Sequence, residues 1–243
     1  MINSRSGAMT QPSHLFQRAV LQLEEDFQKK FPYKNRPATW DQQSLADRIR
    51  RSLSWLERAA LTPRRDKPPR FVDLWIALNA LYGVKPDRFP DERGNFRNFI
   101  RKLNRIDSRR EFLVPSMSQG HIQNLSFELV DNQYLWREFW QKKSRELREN
   151  RIADLKIARA SLREKDVVKF YACVFERLYI LRNQIFHGSS SATTKKSEDA
   201  LKPAIIFLEE TIPTFIRVMM NCGSGKDWPS LPFPGRDTPQ FPA

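Results

Sequence analysis

Cysteine is nearly absent from this chain, and its scarcity closes off two kinds of small-protein architecture. Cys173 and Cys222 are the only two, and they are far apart with no CxxC pair. They make neither a disulfide framework nor a zinc site. The expectation is two reduced thiols in a cytoplasmic protein, with no metal and no cofactor. Long apolar runs are also missing. No stretch approaches the ~20 residues that span a bilayer, so no membrane partner is expected. The first residues, MINSRSGAMTQPSH, have no apolar signal core and do not read as a secretion signal. There is no internal repeat, no alternating strand pattern, and a shortage of acid. Lys and Arg number 42 against 28 Asp and Glu, a net charge of +14.

That imbalance, with a pI near 10.1, favours a polyanionic partner, and RNA or another nucleic acid fits it best. A basic, merely solvated surface would show the same charge. No helix joins a basic face to a clean apolar one, which argues against a membrane surface. The hydrophobic share, 40%, suffices for a core and argues against wholesale disorder. Seventeen Phe, six Trp and five Tyr suit thick interfaces between helices.

The periodicity predicts an all-α bundle. Residues 1–12 read as a disordered N-terminus. A first helix runs from Leu15 to Phe31 on the row Leu15, Ala19, Leu23 and Phe27. A second, capped by Thr39 or Asp41, runs to about Leu61 with Leu45, Ile49, Leu53, Leu56 and Ala60 inward. TPRRDKPPR reads as a loop, since paired prolines cannot continue a helix. An apolar helix follows from Arg70 to Tyr82, stopped by Gly83, with Asp73 exposed near its start. A shorter helix covers about 95–104. Short helices and loops fill 107–133, and one long helix, or two end to end, covers 134–162, its basic surface from Arg137 to Arg163 reading as a solvated face or as an RNA-guiding surface. The strongest helix is 166–187. SSSATTKKSED (residues 189–199) is a connector, and the last helix spans 200–220, bent at Pro213. Residues 223–243 form an extended proline-rich tail, whose Trp228, Phe233 and Phe241 suggest a docking arm or packing on its own domain. The domain boundaries are thus 1–12, 13–222 and 223–243.

The chemistry concentrates in DVVKFYACVFERLYILRNQIFHG. Val167, Tyr171, Val174, Leu178, Leu181 and Ile185 make a core stripe. Phe175, Tyr179, Arg182 and Phe186 line up beside it, placing Arg182 at the edge of an aromatic seam. Asn183 and His187 are four apart, so the amide can reach and orient the imidazole. Arg182 and His187 are five apart, about 140° around a regular helix. One helix does not easily aim both at one phosphate; two copies meeting at these helix ends can, and unwinding of the last turn at Gly188 would also help. This spacing favours a homodimer.

The run from Arg182 to His187, followed by Gly188, resembles the R-x4–6-H signature of the HEPN superfamily in its RNxxxHG form. FVDLWIALNALYG is similar to the helix that packs beside that motif. The resemblance covers about residues 70–220 and implies a HEPN-like helical bundle with extra N-terminal helices. It also implies a metal-independent endoribonuclease, of the toxin or antiviral-effector kind, restrained or activated by a protein partner. Two protomers would join their motifs, and the RNA 2′-hydroxyl would attack the adjacent phosphate. His187 would serve as general acid or base, Arg182 would hold the phosphate, and Asn183 would orient the histidine or bind phosphate. Plainer roles are open to the same residues. Arg182 can be a surface residue paired with Glu176 or Glu210, and His187 can be a plain helix cap. Asn79 reads either as support for the motif helix or as an ordinary buried hydrogen-bonding group. Tyr179 reads as a stacking platform or as core. His14 and His121 show no partner pattern. A non-catalytic nucleic-acid or nucleotide-binding module and a structural subunit of a defence complex are the alternative functions.

Overall fold

The computed structural model describes residues 12–32, 40–84, 91–187, 195–223 and 228. Among the described residues all regular secondary structure is helical, with no strand. The helices are α1 (Pro12–Lys30), α2 (Trp40–Leu61), α3 (Lys67–Tyr82), α4 (Glu92–Ile106), α5 (Leu113–Ser118), α6 (Gly120–Asp131), α7 (Arg137–Trp140), α8 (Ser144–Glu164), α9 (Val167–Phe186) and α10 (Lys195–Cys222), with a 3-10 turn at Gln133–Leu135. The disorder expected before Pro12, the cap at Thr39, and nearly all of the tail fall outside the described residues. Asp41 is not the cap, because α2 already includes Trp40 and places Asp41 inside its first turn.

Aromatic and aliphatic residues from α1–α6, α9 and α10 fill one continuous core. Helix α10 meets α1, α3, α4, α5, α6 and α9. It runs through Pro203 and Pro213 and begins five residues earlier than the sequence suggests, at Lys195. The two N-terminal helices, α1 and α2, are part of this core. The α1 row is Phe16, Val20, Leu23 and Phe27, all buried, while Leu15 is exposed. The expected row, starting from Leu15 and Ala19, is therefore one residue out of phase in the first half of the helix. In α2 the inward set holds at Leu45, Ile49, Leu53 and Leu56, with Ala59 rather than Ala60 fully buried.

Helix α3 corrects two expectations. It starts at Lys67 and takes Pro68 and Pro69 into its first turn, where the missing N–H groups have no intrahelical partner to lose. Asp73 is buried, not exposed, held 3.2 Å from Arg58 Nε and accepting a hydrogen bond from Thr62 Oγ1. Gly83 does end α3, but with φ −55° and ψ 134°, outside the left-handed region. Helix α4 starts at Glu92 because Asp91 accepts from Gly94 N–H across the first turn. The region expected as one helix or two over 134–162 is three pieces. Lys142 has φ 56° at the break, and Lys143 N–H bonds back to Glu138 O. The basic face of α8 is solvent-facing as expected, with only Leu147, Ala158 and Ser161 buried. Trp228 does pack on its own domain. It is buried edge-on against Phe99, with Lys102 Nζ 3.8 Å from its ring centroid.

Candidate functional site

Helix α9 carries the motif. Asp166 starts it by accepting from Lys169 N–H, and its interior from Val167 to Leu181 is mostly buried. It ends at Phe186, with His187 as the capping residue whose N–H bonds to Asn183 O and Ile185 O. Gly188 lies outside the described residues. The aromatic seam exists, and it is shared between elements. Phe175 stacks on Phe96 of α4, with centroids 3.8 Å apart, and on Trp75 of α3. Tyr82 of α3 meets both Phe96 and Phe175 edge-on. The apolar helix therefore does reach the motif helix, through Trp75 and Tyr82, although it packs chiefly on α2 and α10.

Arg182 stands at the outer end of this seam, half-buried. Its Nη1 donates to Asn183 Oδ1 at 2.9 Å, and its guanidinium lies 4.7 Å from the centroid of the exposed Phe186 ring. Among the described residues, no carboxylate pairs with it. Glu176 takes Arg93 instead, and Glu210 lies 3.9 Å from His121. Tyr82 lies close enough to feel the Arg182 charge. Burial holds the Tyr82 hydroxyl well above its ordinary range, Glu92 pushes it further up, and Arg182 opposes both. Tyr82 Oη donates to Glu92 Oε1 at 3.0 Å.

His187 faces the other way. With Asn183, Gln184 and Ile180 of α9, and Arg137 and Trp140 of α7, it lines a cavity of about 340 Å³. Arg182 is not among the walls. Asn183 is thus the joint between the two. It accepts from Arg182 on one side and lines the cavity beside His187 on the other. Its side-chain oxygen accepts from Arg182, and among the described residues no hydrogen bond joins the Asn183 side chain to the His187 ring. Within one chain the structure brings Arg182 to Asn183, and Asn183 to His187, but not Arg182 and His187 to one point.

Tyr179 is half-buried. It stacks on Phe175, and Arg93 lies 4.8 Å from its ring centroid, so it belongs mainly to the core. Asn79 sits in the last turn of α3, where its carbonyl accepts Gly83 N–H. Its side chain makes no hydrogen bond among the described residues and gives no direct support to the motif. His121 is exposed and the His14 side chain lies outside the described set. Among the described residues, no group of three or more His, Cys, Asp or Glu is placed to hold a metal ion. No described helix is long and apolar enough to cross a membrane.

Sequence periodicity misses α7. Arg137 and Trp140 read as one end of a solvent-facing helix, because a single turn between 3-10 and open turns has no period to detect. The segment is suspended from its neighbours by side chains. Gln184 Nε2 donates to Tyr134 O at 2.7 Å, Arg177 Nη1 to Leu135 O at 3.2 Å, and Trp136 Nε1 to Val130 O at 3.0 Å. Gln184, inside the motif but outside its named positions, is the signal that could have found it.

Compared with protein-family models, curated proteins and solved structures, the chain matches none.

Proposed function

We propose that this protein is an endoribonuclease of the HEPN kind, active without a metal ion, with Arg182, Asn183 and His187 as its reacting set. The observation that carries the reading is the state of Arg182. It is a half-buried cation with no carboxylate partner among the described residues. It stands at the end of the motif helix, one residue from an open cavity that His187 lines. An Arg so placed retains capacity for an external oxyanion such as a phosphodiester.

In the proposed reaction the RNA 2′-oxygen forms a bond to phosphorus while the bond from phosphorus to the 5′-oxygen breaks. One proton leaves the 2′-hydroxyl and one reaches the departing 5′-oxygen. The products are a 2′,3′-cyclic phosphate and a 5′-hydroxyl. His187 moves these protons, a role suited to imidazole near neutral pH. Arg182 holds the phosphoryl oxygens as negative charge builds. Because Arg182 and His187 flank Asn183 on opposite sides, a complete site draws on two chains. Arg182 of one chain then serves the phosphate beside His187 of its copy, in a two-fold contact that Phe186 can cover. The resemblance adds a cytoplasmic toxin or antiviral effector held in check by a protein partner. The same divergence of Arg182 and His187 favours a second reading, a nucleic-acid-binding module without catalysis.

The test incubates purified protein with total RNA in EDTA. The expected result is cleavage, lost on Arg182→Ala or His187→Ala by about a hundredfold or more, with both variants folded. Mixing the two dead variants is expected to restore part of the activity, since one site of a mixed dimer regains an intact pair. Absence of cleavage by protein freed of any inhibitor selects the binding module. Full activity from a strictly monomeric protein rules out the shared site.

A further inference from the structure

The cavity beside His187 has walls that suit one chemical class. Arg137, Trp140 and Gln141 line it from α7 and the residue after it, and Ile180, Asn183, Gln184 and His187 line it from the end of α9. At about 340 Å³ it sits at the small end of ligand sites, which run from roughly 300 to 1,000 Å³. That is room for one nucleotide, not for a helix of nucleic acid. We propose that it is a subsite for one unpaired RNA nucleotide, with the base laid on Trp140 and a phosphate of that nucleotide on Arg137.

Trp140 is 49% exposed, which for a ring of this size leaves a large apolar face in water. It is nevertheless fixed. Its Nε1 donates to Tyr134 O at 3.0 Å, and Phe139 meets it edge-on with centroids 5.2 Å apart. Phe139 is itself braced edge-on by Tyr134. A stacking platform held this way loses little freedom when a base arrives. Arg137 lies three residues before Trp140 on the same turn, exposed, and makes no ion pair among the described residues.

The opposite wall offers a reading edge. Asn183 commits its oxygen to Arg182, leaving its amide N–H groups to donate. Gln184 commits its nitrogen to Tyr134 O, leaving its oxygen to accept. A donor and an acceptor on adjacent residues match the paired acceptor and donor on the Watson–Crick edge of a base. That edge is free only when the base is unpaired, and only an unstacked base can lie on an indole. Single-stranded RNA is therefore favoured over duplex. The inference rests on the ribonuclease reading for its purpose, which is to set the nucleotide next to the phosphate that His187 acts on.

Binding is measured by calorimetry with adenosine 5′-monophosphate, ribose 5-phosphate, a short oligoadenylate, and that strand annealed to its complement. Adenosine monophosphate is expected to bind, ribose 5-phosphate much more weakly. Trp140→Ala is expected to weaken the mononucleotide about tenfold or more, the scale of one base–aromatic stack, while Trp140→Phe restores most of it. Arg137→Ala should weaken both phosphates, and the duplex should bind worse than the strand. Undiminished binding by Trp140→Ala, equal binding of ribose 5-phosphate, or equal binding of duplex overturns the subsite. Should Trp140→Ala fail to fold, Arg137→Glu decides alone, and unchanged mononucleotide affinity sinks the idea. The mononucleotide cannot be cleaved, so the two readings separate. Binding without any RNA cleavage leaves the subsite and removes the nuclease, whereas cleavage without mononucleotide binding does the reverse.

Discussion

Buried arginines at the joint of α2, α3 and α10 and the arginine at the end of α9 are the same residue type in opposite circumstances. Arg70 gives Nε to Glu209 Oε1 at 2.6 Å and Nη1 to Thr62 O at 2.7 Å, tying α3 to α10. Arg48 gives Nη1 to the carbonyls of Leu81 and Gly83, closing the end of α3 on α2; burial, with Arg51 adding, pushes its guanidinium down to about 10. Arg177, which donates to Leu135 O, sits 3.6 Å from the Trp136 ring centroid and 3.7 Å from Asp154 Oδ2. Arg182 has only the neighbouring amide oxygen and an exposed ring among the described residues. A buried Nε with no acceptor is common to Arg48, Arg177 and Arg182, so the contrast lies in the terminal nitrogens. Where they meet internal oxygens the arginine holds helices together. At Arg182 the only oxygen met among the described residues belongs to the next residue on the same helix, so the guanidinium ties no two elements together and keeps donors to spare.

The largest effect is expected at the internal joint. Glu209→Ala leaves the Arg70 guanidinium buried beside no carboxylate. Breaking one side of such a pair costs about 3–5 kcal/mol. Chemical denaturation should show that loss, and mononucleotide binding at the remote cavity should be unchanged in the protein that remains folded. A loss below about 1 kcal/mol would mean that Arg70 finds water or another acceptor, and the comparison would lose its first half.

How far the sequence could be read follows the same division. Periodic apolar rows give helices wherever the helix is long and one face is buried, as in α2 and α9. The α1 row slipped because Leu15 and Phe16 are both apolar, and only the neighbouring helices decide which one turns inward. Pro68 and Pro69 argued for a loop, yet the first turn of a helix accepts proline. Asp73 and Arg177 are polar residues whose burial depends on partners far away in sequence, Thr62 and Leu135 among them, so no local pattern reports them. At the candidate site, the motif residues were legible as a cluster. The facing wall was not, because α7 is a single turn without a period, and the 3-10 turn before it is the part held by side-chain bonds from α9.

A smaller effect is expected at the start of α9. Asp166 is partly buried, which raises its carboxyl. The Lys169 N–H at 3.0 Å, the Lys169 ammonium and the Val168 N–H outweigh that and hold it below the ordinary aspartate range. A lowered folded value means the carboxylate contributes its full stability above the unfolded-state pKa and loses it as pH falls through the folded one. Asp166→Ala should cost about 1 kcal/mol near neutrality, the usual worth of a helix cap. The gap from wild type should close in acid as the carboxyl protonates, below roughly pH 4. Asp166→Asn should keep most of the cap and show little of the pH dependence. A gap that persists unchanged in acid would show that packing, not the charge, accounts for the loss.

The smallest change in stability is expected at Arg182, and it is the most informative one for the comparison. Removing the side chain forfeits the contact with Phe186, worth about 0.5–1 kcal/mol at an exposed ring, and one hydrogen bond to a neighbouring amide that water can replace. It also removes a buried Nε that has no acceptor, which returns part of the loss. Arg182→Ala should therefore melt within a few degrees of wild type and lie within about 1 kcal/mol of it in denaturant. An Arg70→Ala variant measured alongside should lose several times more. If Arg182→Ala instead falls as far as Arg70→Ala, then Arg182 holds the end of α9 against Tyr82 and α4 as a structural group. The cation without a carboxylate partner among the described residues, on which the ribonuclease reading depends, would then have an internal purpose, and cleavage lost in that variant would report unfolding rather than chemistry.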